Sequence, residues 1–280
     1  MFIFKKITDL KPWVDQQKQL GFSIGFVPTM GALHQGHLSL VAESKKGSGL
    51  TVASIFVNPT QFNDLADLEK YPRTTEQDIK LLSGAGCDVL FLPDVAEMYP
   101  GNLKLDKAYD LGYVETVLDG ASRPGHFQGV AQVVEKLLDI VQPDELYMGQ
   151  KDFQQIAVIK RLLSLKKSNI VLVPVPTKRE PDGLAMSSRN TRLSEAQRNT
   201  ANLLYQCLVS IQAKKDIQSF GVIRKECWDL LENKGVQPDY ITLADAATLE
   251  ILSDFDQSRN MVALMAAFVG EVRLIDNLIL

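Results

Sequence analysis

Short apolar runs alternate with segments of helical periodicity over the first 176 residues. The apolar runs predict buried strands, and these lie at Phe22–Val27, Leu50–Val57, Val89–Leu92, Glu145–Met148 and Ile170–Val175. Between them, apolar positions recur at the spacing of one helix face, which predicts helices over Ser39–Lys46, Thr74–Gly84, Val130–Val141 and Phe153–Leu163. The alternation of strand and helix predicts an α/β fold, with a doubly wound parallel sheet that helices cover on both faces.

The pattern of the chain changes after Pro176. A polar loop over Thr177–Thr191 leads into two helical patterns, at Ser194–Lys214 and Ser219–Asn233. Three apolar runs follow, at Tyr240–Leu243, Met261–Val269 and Glu271–Ile275. We therefore expect a first domain over residues 1–177 and a smaller C-terminal α+β domain over residues 178–280. A hinged lid that closes over the site of the first domain is the simplest role for the second.

Composition and charge narrow the class of protein. The 280 residues are 45% hydrophobic and 23% charged, with a formal net charge of −4 and both signs mixed along the chain. A basic domain or stripe is missing, so we expect no nucleic-acid partner, and no apolar run is long enough to predict a membrane span. No apolar segment typical of a signal peptide follows the first charged residues. Three cysteines without a C-x-x-C spacing suit a reducing, cytoplasmic location.

The loop after the first predicted strand carries the most unusual residues. Two of the three histidines fall in His34-Gln35-Gly36-His37, where the N–H groups and dipole of a starting helix attract phosphate. Gly36 lets a ligand approach the backbone closely, and two imidazoles three residues apart face one side of the first turn. A bound phosphate would favour their charged form and make them strong donors. We therefore expect a phosphate site; two surface histidines or a zinc pair are the alternatives, although no third ligand at metal spacing is present.

Two further loops follow predicted strands and carry polar residues. Gln61 offers a donor and an acceptor that suit a small hydroxy acid, or it is a surface residue of a turn. In the segment Gly149-Gln150-Lys151-Asp152, glycine permits close approach, lysine supplies a mobile charge and aspartate can cap the next helix. The alternative is an ordinary strand-to-helix loop.

Two more segments are ambiguous on their own. Met186-Ser187-Ser188-Arg189 offers hydroxyls and a guanidinium that can wrap phosphates, or it is an exposed linker. Arg123 and His126 flank Pro124-Gly125 just before the long helical stripe, where His126 is equally explained as a neighbour of the helix cap.

These segments together resemble a known family. The H-x-G-H signature on a Rossmann-like strand–loop–helix is similar to that of the nucleotidylyltransferase superfamily, which includes class I aminoacyl-tRNA synthetases. The flanking residues resemble the pantothenate synthetase family, in blocks that keep the family order over most of the chain: FVPTMGALHQGH at 26–37, VNPTQF at 57–62, YPRT at 71–74, RPGHFQGV at 123–130, GQKDFQQ at 149–155 and MSSRN at 186–190.

The resemblance implies an enzyme that joins pantoate to β-alanine with ATP, through an enzyme-bound pantoyl-adenylate, and releases AMP and pyrophosphate. It implies His37 as the principal catalytic residue, assisted by His34 and Lys151. The residues it implies in ATP binding are Met30, Gly31, His34, His37, Gly149, Lys151, Asp152, Lys178 (through its backbone), Met186, Ser187, Ser188 and Arg189. Those it implies in binding pantoate or β-alanine are Gln61, Gln155, Arg123 and His126. It further implies a homodimer.

The chemistry brings two anions together, because a carboxylate must approach the α-phosphate. Two unit charges 4 Å apart repel by about 4 kcal/mol at an effective dielectric constant of 20, so we expect cationic side chains and Mg²⁺ to offset the repulsion. Some family members place adjacent acidic residues after the Tyr-Pro-Arg-Thr block, where magnesium binds. This chain has Glu76-Gln77-Asp78 there, which makes Asp78 the candidate metal contact.

Other functions stay open on the sequence. A nucleotidyltransferase that acts on a phosphorylated acceptor would need no pocket for a hydroxy acid, which Gln61 and Gln155 argue against. A catalytically silent nucleotide-binding regulator is disfavoured because both histidines and Lys151 are retained. A tRNA synthetase would need an anticodon-binding domain and a basic surface, and the sequence indicates neither.

Overall fold

The structure is a computed structural model that describes residues 1–63, 65–101 and 107–280. The chain forms two compact units: one comprises residues 1–150 and 158–176, and the other comprises residues 151–157 and 177–280. Each unit is built on its own sheet. The division into domains at residues 177 and 178, with the second acting as a lid, stays a prediction.

The first unit contains a parallel sheet of six strands. The strands are β1 Phe2–Phe4, β2 Ile24–Thr29, β3 Leu50–Ile55, β4 Val89–Phe91, β5 Glu145–Gly149 and β6 Val171–Val175. Their order is β1-β4-β3-β2-β5-β6, and every neighbouring pair is parallel. The predicted α/β doubly wound fold is confirmed, with the five predicted strands as β2 to β6. The edge strand β1 was not predicted from the pattern, because it is short and its first two residues are exposed.

Helices connect these strands and cover the sheet. They are α1 Ile7–Gln19, α2 Gln35–Gly47, α3 Leu65–Glu69, α4 Thr75–Gly84, α5 Val95–Met98, α6 Asp119–Ser122, α7 His126–Val141 and α8 Phe153–Leu165. Central strand residues such as Phe26 and Leu90 are fully buried beneath them. No helix in the described ranges has the length and apolar character that crossing a bilayer requires.

The sheet reverses its winding direction at β2. Strand β2 lies between β3 and β5. After β2 the chain forms β3 and β4 on one side of it, and it then crosses over to form β5 and β6 on the other side. In sheets of this kind a crevice opens beyond the carboxyl ends of the two strands at the reversal, and ligands bind there. The H-x-G-H segment follows β2 and Gly149 ends β5, so both lie at that crevice.

The second unit contains a four-stranded antiparallel sheet with helices. Its strands are β7 Val236–Asp245, β8 Ile251–Leu252, β9 Met261–Val269 and β10 Val272–Ile279, in the order β10-β9-β7-β8, and its helices are α9 Glu195–Ala201, α10 Leu203–Lys214 and α11 Phe220–Asn233. Residues such as Leu208, Ile223 and Met265 form a common apolar core. The segment predicted as helical over Ser194–Lys214 forms two helices, α9 and α10, and not one continuous helix. The interruption is at Asn202, although its dihedral angles are still helical (φ −67°, ψ −13°).

Candidate active site

The loop after β2 turns through two left-handed residues. Gly31 has a φ of +83° and Ala32 a φ of +49°. A Cβ atom on Gly31 would lie 3.1 Å from both Asp78 Oδ2 and Ile55 Cγ2, so space as well as backbone conformation favours glycine. The turn carries the chain from the end of β2 directly to the start of α2.

A buried carboxylate from the first turn of α4 holds this turn. Asp78 is 1% exposed. Its Oδ2 accepts the N–H of Ala32 at 2.9 Å, and its Oδ1 accepts the N–H of Leu33 at 2.8 Å. Thr74 Oγ1 also donates to Oδ1, at 3.0 Å. Both oxygens of Asp78 are therefore engaged by donors of the protein itself.

The two histidines cap α2 reciprocally. The N–H of Gly36 donates to His34 Nδ1 at 3.1 Å, and the N–H of His34 donates to His37 Nδ1 at 3.3 Å. The ring centroids lie 4.1 Å apart. The helix therefore begins at Gln35, four residues before the predicted start at Ser39, because an imidazole takes the capping role that serine or aspartate usually has.

This capping geometry fixes where each ring carries its proton. A backbone N–H is always a donor, so Nδ1 of His34 and of His37 must be an acceptor and the proton of each neutral ring lies on Nε2. A charged ring would carry a proton on Nδ1 as well and would lose its cap. The capping geometry thus fits neutral imidazoles that donate through Nε2, and the charged form is expected only with a phosphate bound.

A buried asparagine orients Gln61. Asn58 is 1% exposed, and its Nδ2 donates to Gln61 Oε1 and to the carbonyl oxygen of Gly129, both at 3.2 Å. Its Oδ1 accepts the hydroxyl of Tyr99 at 2.8 Å. With Oε1 held, the Nε2 of Gln61 lies 2.9 Å from Met30 Sδ. Two of the predicted site residues, Gln61 and Met30, are therefore in direct contact.

The start of α7 packs against the same short turn. The Nδ1 of His126 lies 2.8 Å from the carbonyl oxygen of Gln61, and Arg123 Nη1 lies 3.1 Å from His126 Nε2. A carbonyl oxygen can only accept, so His126 donates from Nδ1 and accepts at Nε2 from the guanidinium. A Cβ atom on Gly129 would lie 2.3 Å from the carbonyl oxygen of Thr60, so glycine permits this close approach. Gln61, Arg123 and His126 are thus brought together.

In the second unit, β10 holds the segment that contains Lys151. The Nδ2 of Asn277 donates to the carbonyl oxygen of Lys151 at 2.8 Å. The Nζ of Lys151 lies 3.5 Å from Asp152 Oδ1, and the lysine side chain is 19% exposed while that of Asp152 is 49% exposed. Gln155 lies half-buried on the first turn of α8.

A buried ion pair holds the loop that leads into the second unit. Arg179 Nη1 lies 2.6 Å from Asp276 Oδ2, and Arg179 Nη2 lies 3.0 Å from Oδ1. The same guanidinium donates to the carbonyl oxygen of Gly183 and stacks 4.1 Å from the centroid of the Tyr205 ring. Burial raises the pKa of Asp276, and the hydrogen bond from Arg179 opposes that rise.

The remaining predicted residues of this loop form a compact turn. The N–H of Met186 donates to the carbonyl oxygen of Lys178 at 3.0 Å, while the Lys178 side chain is exposed. Ser187 Oγ accepts the N–H of Arg189 at 3.3 Å and caps a short 3-10 helix over Ser188–Arg192.

The predicted site residues therefore lie in two groups, one in each unit. Those of the first unit are Met30, Gly31, His34, His37, Gln61, Asp78, Arg123, His126 and Gly149. Those of the second unit are Lys151, Asp152, Gln155, Lys178, Met186, Ser187, Ser188 and Arg189.

Sequence reasoning missed the residues that hold these groups in place. Asn58 stands within the segment VNPTQF, but its bond to Gly129 spans 71 residues of chain. Arg179 and Asp276 are 97 residues apart, and Asn277 bonds to a residue 126 positions away. A local sequence pattern cannot identify partners that are so far apart in the chain. The signal available in the sequence was a charged or amide residue inside a segment otherwise typical of a buried strand or a turn.

A magnesium site made of protein groups alone is not supported by this arrangement. Both oxygens of Asp78 accept hydrogen bonds, and within the ranges the structure describes no three His, Cys, Asp or Glu side chains gather as metal ligands. Mg²⁺ commonly takes most of its ligands from substrate phosphates and water. The donor set on the protein therefore fits an ion that arrives with a nucleotide better than a resident one.

Comparison with known proteins gives a consistent result over the whole chain. The model of the family described as pantoate-beta-alanine ligase matches residues 2–279. A pantothenate synthetase of Cytophaga hutchinsonii is 44% identical over 285 residues, which cover 100% of this chain and 99% of that protein. A pantothenate synthetase of Acetivibrio thermocellus is 45% identical over 282 residues, with the same coverage.

Solved structures are similar as well. The crystal structure of pantothenate synthetase from Thermus thermophilus superposes with a TM-score of 0.92 at 38% identity, covering 99% of each chain. A pantoate-beta-alanine ligase from Francisella tularensis, complexed with beta-gamma ATP and beta-alanine, superposes with a TM-score of 0.82 at 36% identity, covering 100% of this chain and 97% of that one.

Proposed function

The chain belongs to the pantoate-β-alanine ligase family, and from this premise we propose how its residues perform the reaction. The protein is an ATP-dependent ligase that forms pantothenate from pantoate and β-alanine. In the first step of the proposed route, a carboxylate oxygen of pantoate bonds to the α-phosphorus of ATP and pyrophosphate leaves. In the second, the nitrogen of β-alanine bonds to the carbonyl carbon, AMP leaves with the electron pair of the broken bond, and the nitrogen loses a proton.

The reciprocal cap of His34 and His37 is the observation that carries this proposal. It holds two Nε2–H donors side by side at the edge of the sheet where ligands of this fold bind. Neutral donors of this kind can stabilise the charge that develops on the phosphate oxygens as pyrophosphate leaves. We assign the principal catalytic role to His37, with His34 and Lys151 assisting. The substrate carboxylate is itself the nucleophile, so no side-chain nucleophile is needed.

The other assignments follow the family positions. ATP is proposed to contact Met30, Gly31, Gly149, Lys151, Asp152, Lys178 (through its backbone), Met186, Ser187, Ser188 and Arg189 together with the two histidines. Pantoate and β-alanine are proposed to contact Gln61, Gln155, Arg123 and His126. The support within the first unit is that Gln61 has its amide orientation fixed by Asn58, with His126 and Arg123 packed on its backbone.

Mg²⁺, the oligomeric state and the location complete the proposal. We propose that Mg²⁺ enters with the triphosphate and offsets part of its charge when bound, held mainly by phosphate and water. A homodimer is proposed from the family resemblance. A cytoplasmic location is proposed because the three cysteines, all within the described residues, are buried thiols without a disulfide.

The test is the exchange of labelled pyrophosphate into ATP, measured without β-alanine. We expect exchange only when pantoate is present, because only the first step returns pyrophosphate to ATP. Exchange that requires a phosphorylated acceptor would favour a nucleotidyltransferase instead. Nucleotide binding without exchange under either condition would favour a silent regulator.

Two variants of one residue separate capping from catalysis. In His37→Asn, the side-chain oxygen can replace Nδ1 as a cap, but the donor at the Nε2 position is lost; we expect a stable protein with exchange reduced by about 100-fold or more. In His37→Gln, the amide nitrogen can replace Nε2, but the cap is lost; we expect lower stability with part of the exchange retained. Wild-type exchange in His37→Asn would reject the assigned role.

A further inference from the structure

The turn before the histidines is strained and depends on outside support. A left-handed conformation costs about 1–2 kcal/mol for a residue with a Cβ atom, and Ala32 adopts it directly after Gly31. The next N–H groups in the chain, those of Ala32 and Leu33, both donate to Asp78. Asp78 lies 46 and 45 positions further along the chain, on a different helix.

The hydrogen bonds along this loop form a sequence of side-chain acceptors. Thr29 Oγ1 accepts the N–H of Gly31 at 3.2 Å, Asp78 accepts the next two, and His37 Nδ1 accepts the N–H of His34. Thr29 ends β2 and His37 belongs to α2, so Asp78 is the acceptor in this series that comes from a distant part of the chain. The path of the backbone into the histidine cap is therefore fixed from α4.

We propose that Asp78 is a positioning residue for the phosphate-binding histidines, and that it does not serve as a magnesium ligand. The assignment of the histidines rests on the proposed function above. A Mg²⁺ ion on either oxygen at its usual distance of about 2.1 Å would need a lone pair that faces the ion within an octahedral shell. The two oxygens instead face three hydrogen-bond donors, and Asp78 is almost completely buried.

The decisive variant is Asp78→Asn. The amide keeps the size of the side chain but replaces one acceptor oxygen with a donor, so the N–H of Ala32 or of Leu33 faces another N–H group. We expect the loop to shift and pantoate-dependent pyrophosphate exchange to fall by about 100-fold, the loss that a misplacement of about 1 Å can cause. The Mg²⁺ concentration for half-maximal exchange should stay unchanged.

A spectroscopic readout separates this role from general support of the fold. The chain has only three histidines, so the nitrogen-15 shifts of their rings can be followed by NMR without nucleotide or metal. In the wild type, His34 and His37 should carry their protons on Nε2 and His126 on Nδ1. In Asp78→Asn, the signals of His34 and His37 should move towards a mixture of tautomers, while those of His126 stay in place.

Asp88→Asn is the matched control. Asp88 Oδ2 accepts the N–H of Thr51 at 2.8 Å and the Nζ of Lys45 at 3.0 Å, so the same chemical change perturbs a carboxylate-to-backbone bond, together with an ion pair, in the same unit. That bond lies at the amino ends of β3 and β4, opposite the histidine loop. Exchange and the histidine spectra should both remain as in the wild type.

The outcomes distinguish the possible failures. A raised Mg²⁺ requirement in Asp78→Asn with unchanged histidine spectra would overturn the proposal and make Asp78 a metal ligand. Absence of pyrophosphate exchange in the wild type would count against the proposed function. The NMR spectra of the histidines would still test the role of Asp78. If Asp78→Asn does not fold, Thr74→Val decides: loss of its hydroxyl donor should shift the spectra in the same direction to a smaller extent, and unchanged spectra would reject the proposal.

Discussion

Replacing Gly129 with alanine tests whether the position of Gln61 controls the reaction. The added methyl group would lie 2.3 Å from the carbonyl oxygen of Thr60 and 2.9 Å from the Cα atom of Gln61. Both neighbours are backbone atoms, so no side-chain rotation can relieve the overlap. Helix α7 and the turn over Pro59–Gln61 must move apart by about 1 Å to reach ordinary van der Waals contact.

The size of the effect follows from this displacement. Overpacking of this kind costs about 1–3 kcal/mol of folding free energy, which a domain of this size can tolerate. A catalytic or binding group displaced by about 1 Å can lose about 100-fold in rate. We therefore expect Gly129→Ala to fold, and its kcat/KM for pantoate to fall by about 100-fold. The KM for ATP should change less, because the methyl group touches the turn of Gln61 directly and reaches the histidine loop only through the contact of Gln61 with Met30.

Two other glycines provide controls. A Cβ atom on Gly25, at the amino half of β2, would lie 2.2 Å from Ser44 Oγ, so Gly25→Ala is crowded at the opposite end of the sheet and should lower stability without raising the KM for pantoate. Gly84→Ala adds a methyl group in open space and should change neither quantity. Steady-state kinetics with varied pantoate and thermal melting measure both effects. Wild-type kcat/KM in Gly129→Ala would refute the reasoning.

Three further predictions concern charge and burial. Arg179→Met leaves Asp276 buried without its partner and should cost about 3–5 kcal/mol of unfolding free energy, whereas the double variant with Asp276→Leu should regain most of it in urea denaturation. Burial raises the pKa of Glu135, but hydrogen bonds from a tyrosine and two lysines outweigh it and hold the pKa at about 2. Because the folded pKa is below the usual value, this contribution to stability is present above about pH 4.5 and is lost as the pH falls towards 2; the stability difference between the wild type and Glu135→Gln should shrink over that range. Burial raises the pKa of Cys87 to about 11, so its thiol should resist alkylation at neutral pH until the protein is unfolded, and fast modification of the native protein would contradict its burial.

The strands and helices with a clear apolar pattern could be predicted from the sequence. The strands β2 to β6 are short apolar runs. In α7, 12 of the 16 residues are buried, so its apolar residues recur at helical spacing and predict the helix. Helix α1 was not predicted, because it is largely polar and contains Pro12. The break at Asn202 was missed because its dihedral angles stay helical and leave no composition signal.

In the candidate site, too, local features could be predicted from the sequence and distant contacts could not. His34 and His37 are close in sequence and could be recognised as a pair, whereas their tautomers could not, because the caps depend on ring orientation. Asp78 was identified only as a metal candidate, since its bonds to Ala32 and Leu33 exist only once α4 is packed beside α2. The supporting residues of a site are found by tertiary structure, because their partners are distant in sequence.

Transfer of oxygen-18 from the pantoate carboxylate tests the central claim most directly. If the carboxylate attacks the α-phosphate, pantoate labelled in both carboxylate oxygens must leave one labelled oxygen on AMP when β-alanine displaces it. We therefore predict AMP heavier by one oxygen-18, with the other label in pantothenate, when the products of one turnover are analysed by mass spectrometry. Unlabelled AMP would contradict the adenylate route and with it the role given to the histidine pair.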